Sequence, residues 1–230
     1  MKPDVLGNAL HDYLRGKKTD KLYIHTSYGT EEMPVDVFFR QPDEFPELEH
    51  IALALCDGRV LDVGAGAGSH ARYLQQKDME VDALEISPGA CSVMSTRGVK
   101  HVIEADFFSY KKGGYDTLLF LMNGIGIAGS LGGLKMLLRH SKSLLNPRGQ
   151  LLFDSSDIAY LYAGGTVEKP SGYYGEITYR YAYQGVVGAP FNWLFIDQAT
   201  LIQLAREEGW IVQILFEDEN DQYLARMEPS

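Results

Sequence analysis

Residues 60–74 read VLDVGAGAGSHARYL, and the fold turns on this stretch. Val60, Leu61 and Val63 make a short apolar run with the composition of a buried strand. Gly64, Gly66 and Gly68 follow at alternate positions, with Ala65 between the first two. Ala71 and Leu74 then fall on one side of a helical repeat. Strand, glycine-rich turn and helix form the first unit of an α/β sheet that binds a nucleotide. The glycines have a physical reason. The chain turns sharply from strand to helix and passes close to a ligand; glycine reaches positive φ freely and has no Cβ to block the approach.

Two details separate this turn from the dinucleotide fingerprint G-x-G-x-x-G. The third glycine of that pattern would stand at position 69, which is Ser69, whereas here it comes one residue early, at Gly68. Asp62 lies two residues before the first glycine. A carboxylate there accepts from an ammonium or, through water, from other donors, and is a poor neighbour for a pyrophosphate.

Composition permits a nucleotide-binding enzyme and excludes other classes. The chain has 230 residues, suited to one domain or one domain with an appended piece, and 45% are hydrophobic, enough for a sizeable core. Its formal net charge is −10, from 31 acids against 21 bases. An acidic surface repels phosphate backbones, and no basic run offsets it, so nucleic acid is not an expected partner. No apolar stretch approaches the about 20 residues that cross a bilayer. The N-terminal MKPDVLGNALHDYLRGKK lacks the apolar core of a signal peptide. No membrane partner is expected, and the expected location is cytoplasmic. Cys56 and Cys91 match no metal or redox spacing, and no Cys/His/acid cluster suggests a metal.

Before the glycine turn, Val5, Leu6, Ala9, Leu10, Tyr13 and Leu14 recur at helical spacing, which predicts a helix ending near Arg15 and Gly16. Residues 22–27 alternate weakly, as a short strand does, and Tyr28-Gly29-Thr30 reads as a turn. Residues 33–40 are unusually apolar for a loop, and residues 47–56 form a second helix closed by Asp57-Gly58. Residues 1–57 thus read as a helical cap segment, and residues 58–230 as the nucleotide-binding domain.

After the turn, residues 81–86 (VDALEI) form a second strand ending in Glu85. An acid at that tip accepts both ribose hydroxyls of an adenosine ligand, or is a plain surface carboxylate. Ser87 and Pro88 open the next helix as N-cap and first residue. Residues 101–103 form a third strand, followed by EADFF. There Asp106 suits the exocyclic amine of adenine, and Phe107 or its neighbour suits the ring; an ordinary loop acid beside a core phenylalanine is the alternative. Residues 115–122 (YDTLLFLM) are a central strand running into Asn123-Gly124-Ile125-Gly126. Asn123 therefore falls at a strand's carboxyl edge, where donor and acceptor meet. A helix over residues 134–145 is expected to stop at Asn146-Pro147 and Gly149, and residues 150–153 to form a fifth strand ending in Asp154-Ser155-Ser156-Asp157. Asp197 begins a helix that Gly209 ends; residues 210–216 and 223–227 then form an antiparallel hairpin at one edge. Dinucleotide-binding domains do not usually finish this way.

In this order VLDVGAGAG, LEIS, EADFF, YDTLLFLMNG, GQLLFDSSD and the closing hairpin resemble the class I S-adenosylmethionine-dependent methyltransferases, from about residue 58 to the end. The resemblance implies an α/β, Rossmann-like, seven-stranded sheet of order 3-2-1-4-5-7-6, with strand 7 antiparallel and helices on both faces. It implies S-adenosylmethionine as cofactor and S-adenosylhomocysteine as product. It also implies that Gly64, Ala65, Gly66 and Gly68 border the cofactor and that Asp62 orients its methionine end. Glu85 holds the ribose, Ile86 lies against the adenine, Asp106 and Phe107 take the adenine, and Asn123 occupies the place after strand 4. Many amino- and amide-directed members carry (D/N)-P-P-Y at that place. This chain reads N-G-I-G, which argues against methylation of exocyclic base amines or glutamine amides.

Residues 158–196 form an insertion rich in tyrosine: Tyr160, Tyr162, Tyr173, Tyr174, Tyr179, Tyr181 and Tyr183, followed by Phe191 and Trp193. Its alternation over residues 172–183, with turns at Gly164-Gly165 and residues 169–172, predicts a small antiparallel addition on the cofactor side. Its aromatic side chains line a pocket for a flat or cationic acceptor, or pack among themselves. A general base is needed only if the acceptor loses a proton, and His25, Asp154 and Asp157 are the candidates. The expectation is a methyltransferase acting on a small-molecule acceptor; neither the acceptor atom nor the oligomeric state is set by sequence. An NAD-dependent oxidoreductase and a non-catalytic cofactor-binding or partner protein are the alternatives.

Overall fold

The computed structural model describes residues 3–17, 20–164 and 167–230. In chain order its elements begin with α1 (Val5–Leu14), β1 (Leu22–Thr26), β2 (Gly29–Met33), α2 (Glu47–Ala54) and β3 (Arg59–Val63). Then come α3 (Ser69–Gln76), β4 (Glu80–Glu85), α4 (Pro88–Thr96), β5 (Val102–Glu104), β6 (Tyr115–Phe120) and α5 (Leu131–Leu144). The chain finishes with β7 (Leu145–Ser156), α6 (Tyr160–Ala163), β8 (Glu176–Tyr183), β9 (Val186–Val187), β10 (Phe191–Leu194), α7 (Gln198–Glu207), β11 (Trp210–Glu217) and β12 (Gln222–Pro229). Short 3₁₀ turns stand at Val35–Phe39, Phe107–Ser109 and Gly124–Ala128.

Seven strands form one sheet in the order β5-β4-β3-β6-β7-β12-β11. Numbered within that sheet alone, this is 3-2-1-4-5-7-6, the order expected from the resemblance. β4 pairs with β5 and β6 with β7 in parallel, while β12 runs antiparallel to both β7 and β11. The Rossmann-like α/β methyltransferase fold is therefore present. The inner strands carry fully buried Leu61, Leu84, Leu118, Phe120 and Phe153, as near-continuous apolar runs require.

By contacts the chain divides into two units. The first takes Met1–Pro46, Leu61–Tyr110 and Thr178–Phe191, and includes the glycine turn. Within it, Val5 and Ala9 of α1 pack with Leu22 of β1 and Tyr183 of β8, and Leu6, Met33, Val35 and Tyr181 surround them. Leu10 packs with Ala67, Ala90 and Val93, tying the same helix to the turn and to α4. Each fully buried leucine such as Leu10 or Leu22 contributes roughly 1.5–3 kcal/mol.

A second sheet has the order β10-β8-β1-β2, with β9 paired to β8. Antiparallel partners Tyr23↔Ala182, Ile24↔Tyr181 and His25↔Arg180 join β1 to β8. The N-terminal strand and the tyrosine-rich insertion, two separate pieces in the sequence, are thus one sheet. β2 was not expected: Gly29 and Thr30, read as part of a turn, already pair with Thr26 and His25. Its sequence, GTEEM, has no apolar alternation. Cross-strand pairing holds it instead, with His25 Nδ1 2.7 Å from Thr30 Oγ1 and Lys21 Nζ 2.6 Å from Glu32.

The second unit takes Glu47–Val60, Lys111–Ile177 and Asn192–Ser230. Two expectations are corrected there. α5 starts at Leu131 rather than residue 134, because Ser130 caps it by accepting from Gly133 N at 3.0 Å. Gly132 and Gly133, poor helix formers, hide that start. β7 begins at Leu145, so Asn146, Pro147 and Gly149 lie within the strand rather than stopping a helix. The register jumps there from Tyr115↔Leu145 to Thr117↔Gln150, with Arg148 at φ 70. In that irregularity a proline, which has no N–H to donate, is tolerated. The expected turn residue Gly165 lies outside the described residues. No helix among the described residues is long and apolar enough to cross a membrane.

Candidate active site

In the first unit the glycine turn is built by backbone bonds to the neighbouring strand. Gly64 N and Ala65 N donate to Leu84 O of β4 at 2.8 and 3.2 Å, and Gly68 N closes on Ala65 O at 2.7 Å. Gly64, Gly66 and Gly68 all have left-handed φ, at 71°, 56° and 79°. A Cβ on Gly68 would come within 2.7 Å of Val99 and 2.9 Å of Met94, whereas one on Gly64 would meet nothing within 4 Å. The turn is packed from behind at Gly68 and opens at Gly64.

Glu85 ends β4 and is buried, only 7% exposed. Its carboxylate accepts from Gly66 N at 3.0 Å, Ile86 N at 2.8 Å and Ser87 N at 3.0 Å. Burial pushes its pKa up; the three amides oppose the shift and the nearby Asp4 charge adds to it. Ile86 beside it is 67% exposed and offers bare apolar surface. Asp106 is exposed and accepts from Phe108 N at 3.4 Å. Phe107 is buried, and its edge-to-face neighbour Phe108, 5.6 Å away, is the ring with free surface. Asp62, 2% exposed, is buried in β3. An open glycine, a carboxylate among amides and an exposed apolar side chain together suit a nucleoside, with hydroxyls at Glu85 and a ring at Ile86.

Sequence reasoning missed two residues of this unit. Arg97 donates to Phe38 O and Ser69 Oγ at 3.3 Å and to Phe39 O at 3.4 Å, also reaches Ala67 O, and lies 4.7 Å over the Phe39 ring. It fastens the Val35–Phe39 turn to the glycine turn. Burial lowers its pKa to about 10, so it stays a cation at neutral pH. Asp4 caps α1 and also bonds to Ser87 and Gly89. Its signal in the sequence was Gly7 and Gly89, glycines placed within helices where glycine is unfavourable. His25 lies in the second sheet, half-buried and held by Thr30.

The second unit brings Asn123 and Asp154 together. Asn123 N lies 2.9 Å from both carboxylate oxygens of Asp154, and Gln222 Nε2 donates to Asp154 at 2.9 Å. Burial is the largest influence on Asp154 and pushes its pKa to about 6, with Glu49 adding to the shift. The Asn123 side chain donates to Leu194 O at 3.2 Å and accepts from Ser155 Oγ at 3.0 Å, and Ser155 Oγ accepts from Ile196 N at 3.0 Å. Met122 and Asn123 are both left-handed, at φ 60° and 54°.

Asp157 accepts from Ala159 N at 2.8 Å and from the Tyr174 hydroxyl at 2.6 Å. Tyr173 donates to Asp197 at 2.6 Å, and Tyr162 donates to Tyr174 O at 2.7 Å. Burial and the adjacent acid push the Tyr174 phenol far above its ordinary range. These three tyrosines act as latches whose hydroxyls are engaged, while Tyr160 is exposed. A hollow of about 270 Å³ beside them is lined by Asp157, Asp197, Glu217, Asp221 and Tyr223 among others. Among the described residues no group of three or more His, Cys, Asp or Glu is arranged to hold a metal ion.

No protein-family model and no curated protein matches the chain. Solved structures do. The chain is similar to the crystal structure of a SAM-dependent methyltransferase from Bacteroides fragilis in complex with S-adenosyl-L-homocysteine. The two share 40% identity over 99% of this chain and 95% of the other, with a TM-score of 0.91. It also resembles the DhpI–SAM–HEP complex, at 17% identity, with 100% of each chain covered and a TM-score of 0.64. A third likeness is the glycopeptide N-methyltransferase MtfA complexed with (S)-adenosyl-L-methionine, at 14% identity over 80% of this chain and 93% of the other, TM-score 0.56. The last two show the fold alone.

Proposed function

The chain belongs to the S-adenosylmethionine-dependent methyltransferases, and from that premise we propose that it methylates a small-molecule acceptor in the cytoplasm. The cofactor S-adenosylmethionine supplies a sulfonium methyl already activated for displacement. The chain's own residues then bind, orient and keep water out, which supplies much of the rate in such a transfer.

On this reading Glu85 accepts the ribose hydroxyls, and Gly64, Ala65, Gly66 and Gly68 let the backbone approach the cofactor. Ile86 covers one adenine face, Asp106 accepts from its amine, and Phe107 backs Phe108 against its edge. Asp62 orients the methionine end, and Asn123 shapes the turn after β6. The observation that carries the reading is the direct bond between Gly66 N and Glu85, which fixes two motifs distant in sequence at one point. The exposed Ile86 beside it supports the adenine assignment. If the acceptor must lose a proton, the candidate bases remain His25, Asp154 and Asp157. Asp154, at about 6, is ionised at neutral pH.

A net charge of −10 and the absence of a basic run favour a small acceptor over nucleic acid. Residues 1–57 serve as a cap on the cofactor-binding part, 58–230, and the insertion 158–196 contributes to acceptor selection. The test is methyl transfer from labelled S-adenosylmethionine to a panel of small amines, alcohols and thiols. Turnover of at least one acceptor, with S-adenosylhomocysteine released, is expected. Tight cofactor binding with no turnover across the panel would favour the non-catalytic reading, and transfer to nucleic acid alone would overturn the small-molecule assignment.

A further inference from the structure

Asp4 is a single carboxylate shared by two helix starts. Its Oδ1 accepts from Gly7 N at 2.9 Å, which caps α1. Its two oxygens accept from Ser87 Oγ at 2.9 and 2.8 Å, and Oδ2 accepts from Gly89 N at 2.8 Å. Ser87 is itself the cap of α4, accepting from Ala90 N at 3.0 Å. Both glycines are required by this closeness. A Cβ on Gly7 would come within 2.3 Å of Asp4 and 2.7 Å of Ser87, and one on Gly89 within 2.7 Å of the Gly7 Cα. The one Asp4 carboxylate therefore takes three donors, Gly7 N, Ser87 Oγ and Gly89 N, all in the first unit.

The same serine is tied to Glu85 through its backbone. Ser87 N donates to Glu85 Oε1 at 3.0 Å, beside Ile86 N at 2.8 Å. The position of the Glu85–Ser87 backbone, and so the direction of the Glu85 carboxylate, depends on where Ser87 is held. Packing adds to the hold: Leu10 of α1 lies in one apolar cluster with Ala67 of the glycine turn and Ala90 and Val93 of α4.

We propose that Asp4 is a positioning residue for the donor site, acting through Ser87 to set the Glu85 carboxylate that grips the ribose. The proposal rests on the ribose assignment of Glu85 made above. It makes the N-terminal helix a working part of cofactor binding rather than a cap on the outside of the domain. It also gives a reason for a charged residue at this N-cap where serine or asparagine would serve α1 alone: a carboxylate, with only acceptor sites, can take donors from both helices at once.

The test is calorimetric titration of the full chain with S-adenosylhomocysteine and with its 2′,3′-dideoxy analogue, for native protein, Asp4→Ala, Glu85→Gln and the double variant. Loss of a charge-assisted hold predicts that Asp4→Ala weakens S-adenosylhomocysteine binding by about tenfold. The analogue, which has no hydroxyls for Glu85 to grip, is expected to lose less than about twofold by the same reasoning. Added to Glu85→Gln, Asp4→Ala should bring little further loss. Unchanged affinity in Asp4→Ala, or an equal loss for both ligands, would overturn the proposal and leave Asp4 a structural cap. If Glu85→Gln binds S-adenosylhomocysteine as the native protein does, the ribose assignment itself fails, and the route through Glu85 with it. Should Asp4→Ala not fold, Ser87→Ala removes the linking hydroxyl, and with it the α4 cap on Ala90 N, but leaves the Asp4 cap of α1 in place, and is expected to give the same selective loss; an equal loss for both ligands there would again refute the route.

Discussion

Asp154 shows how one buried acid can be both costly and necessary. It holds Asn123 N, and with it two successive left-handed residues, Met122 and Asn123, at the end of β6. Left-handed backbone at such residues costs on the order of 1–3 kcal/mol each and persists only where neighbours enforce it. Burial moves the Asp154 pKa from 3.8 to about 6. Between these values the folded chain binds a proton that the unfolded chain has released, so this group's contribution to stability falls as pH rises and its penalty is complete above about 6. Two pKa units correspond to about 3 kcal/mol. Asp154→Asn removes the titration and keeps an acceptor for Asn123 N. Urea denaturation should therefore show the native protein losing up to about 3 kcal/mol relative to Asp154→Asn between pH 4 and pH 7. A difference independent of pH would mean that Asp154 does not titrate in this range.

Among the elements, those read correctly had a period or a stop signal of their own. The glycine turn, the strand ending in Glu85 and the closing hairpin carried apolar runs bounded by Gly, Pro or Asp, and their order set the sheet. What escaped was held by partners remote in sequence. β2 has no alternation and exists through pairing with β1; β7 extends back across Asn146-Pro147 because the register slips. The tyrosines of the insertion suggested an acceptor pocket, but several hydroxyls are latched to Asp157, Asp197 and a carbonyl, pairings no spacing reveals. The Gly124–Ala128 turn offers a test at this scale. A Cβ on Gly126 would come within 2.2 Å of Trp193 Nε1, so that Trp193 can lie over the turn only because residue 126 is glycine. Gly126→Ala should destabilise the protein by about 1–3 kcal/mol through overpacking. Thermal denaturation with the Trp fluorescence unchanged and no loss of stability would show that Trp193 does not pack there.

For the whole molecule, the cofactor site and the fold are energetically coupled. A ligand that binds only the folded chain at about 100 times its dissociation constant adds about 2.7 kcal/mol. At this chain length that corresponds to a rise of about 5–10 °C in Tm. Saturating S-adenosylhomocysteine should produce such a shift in calorimetry, and Glu85→Gln should reduce it at equal ligand concentration; a native protein with no shift would have no folded-state site for the ligand. The acidic surface makes a complementary claim: high salt should leave the affinity for small, nearly neutral ligands little changed, because no array of phosphate contacts is being screened.

The central claim is that the turn at Gly64–Gly68, fastened to Glu85, holds an adenosyl sulfonium donor and not a dinucleotide. Calorimetric titration of the purified chain with S-adenosylhomocysteine and, separately, with NAD tests it most directly. Saturable one-site binding of S-adenosylhomocysteine, weakened by Glu85→Gln, with no heat from NAD, is the predicted result. Binding of NAD with none of S-adenosylhomocysteine would contradict it.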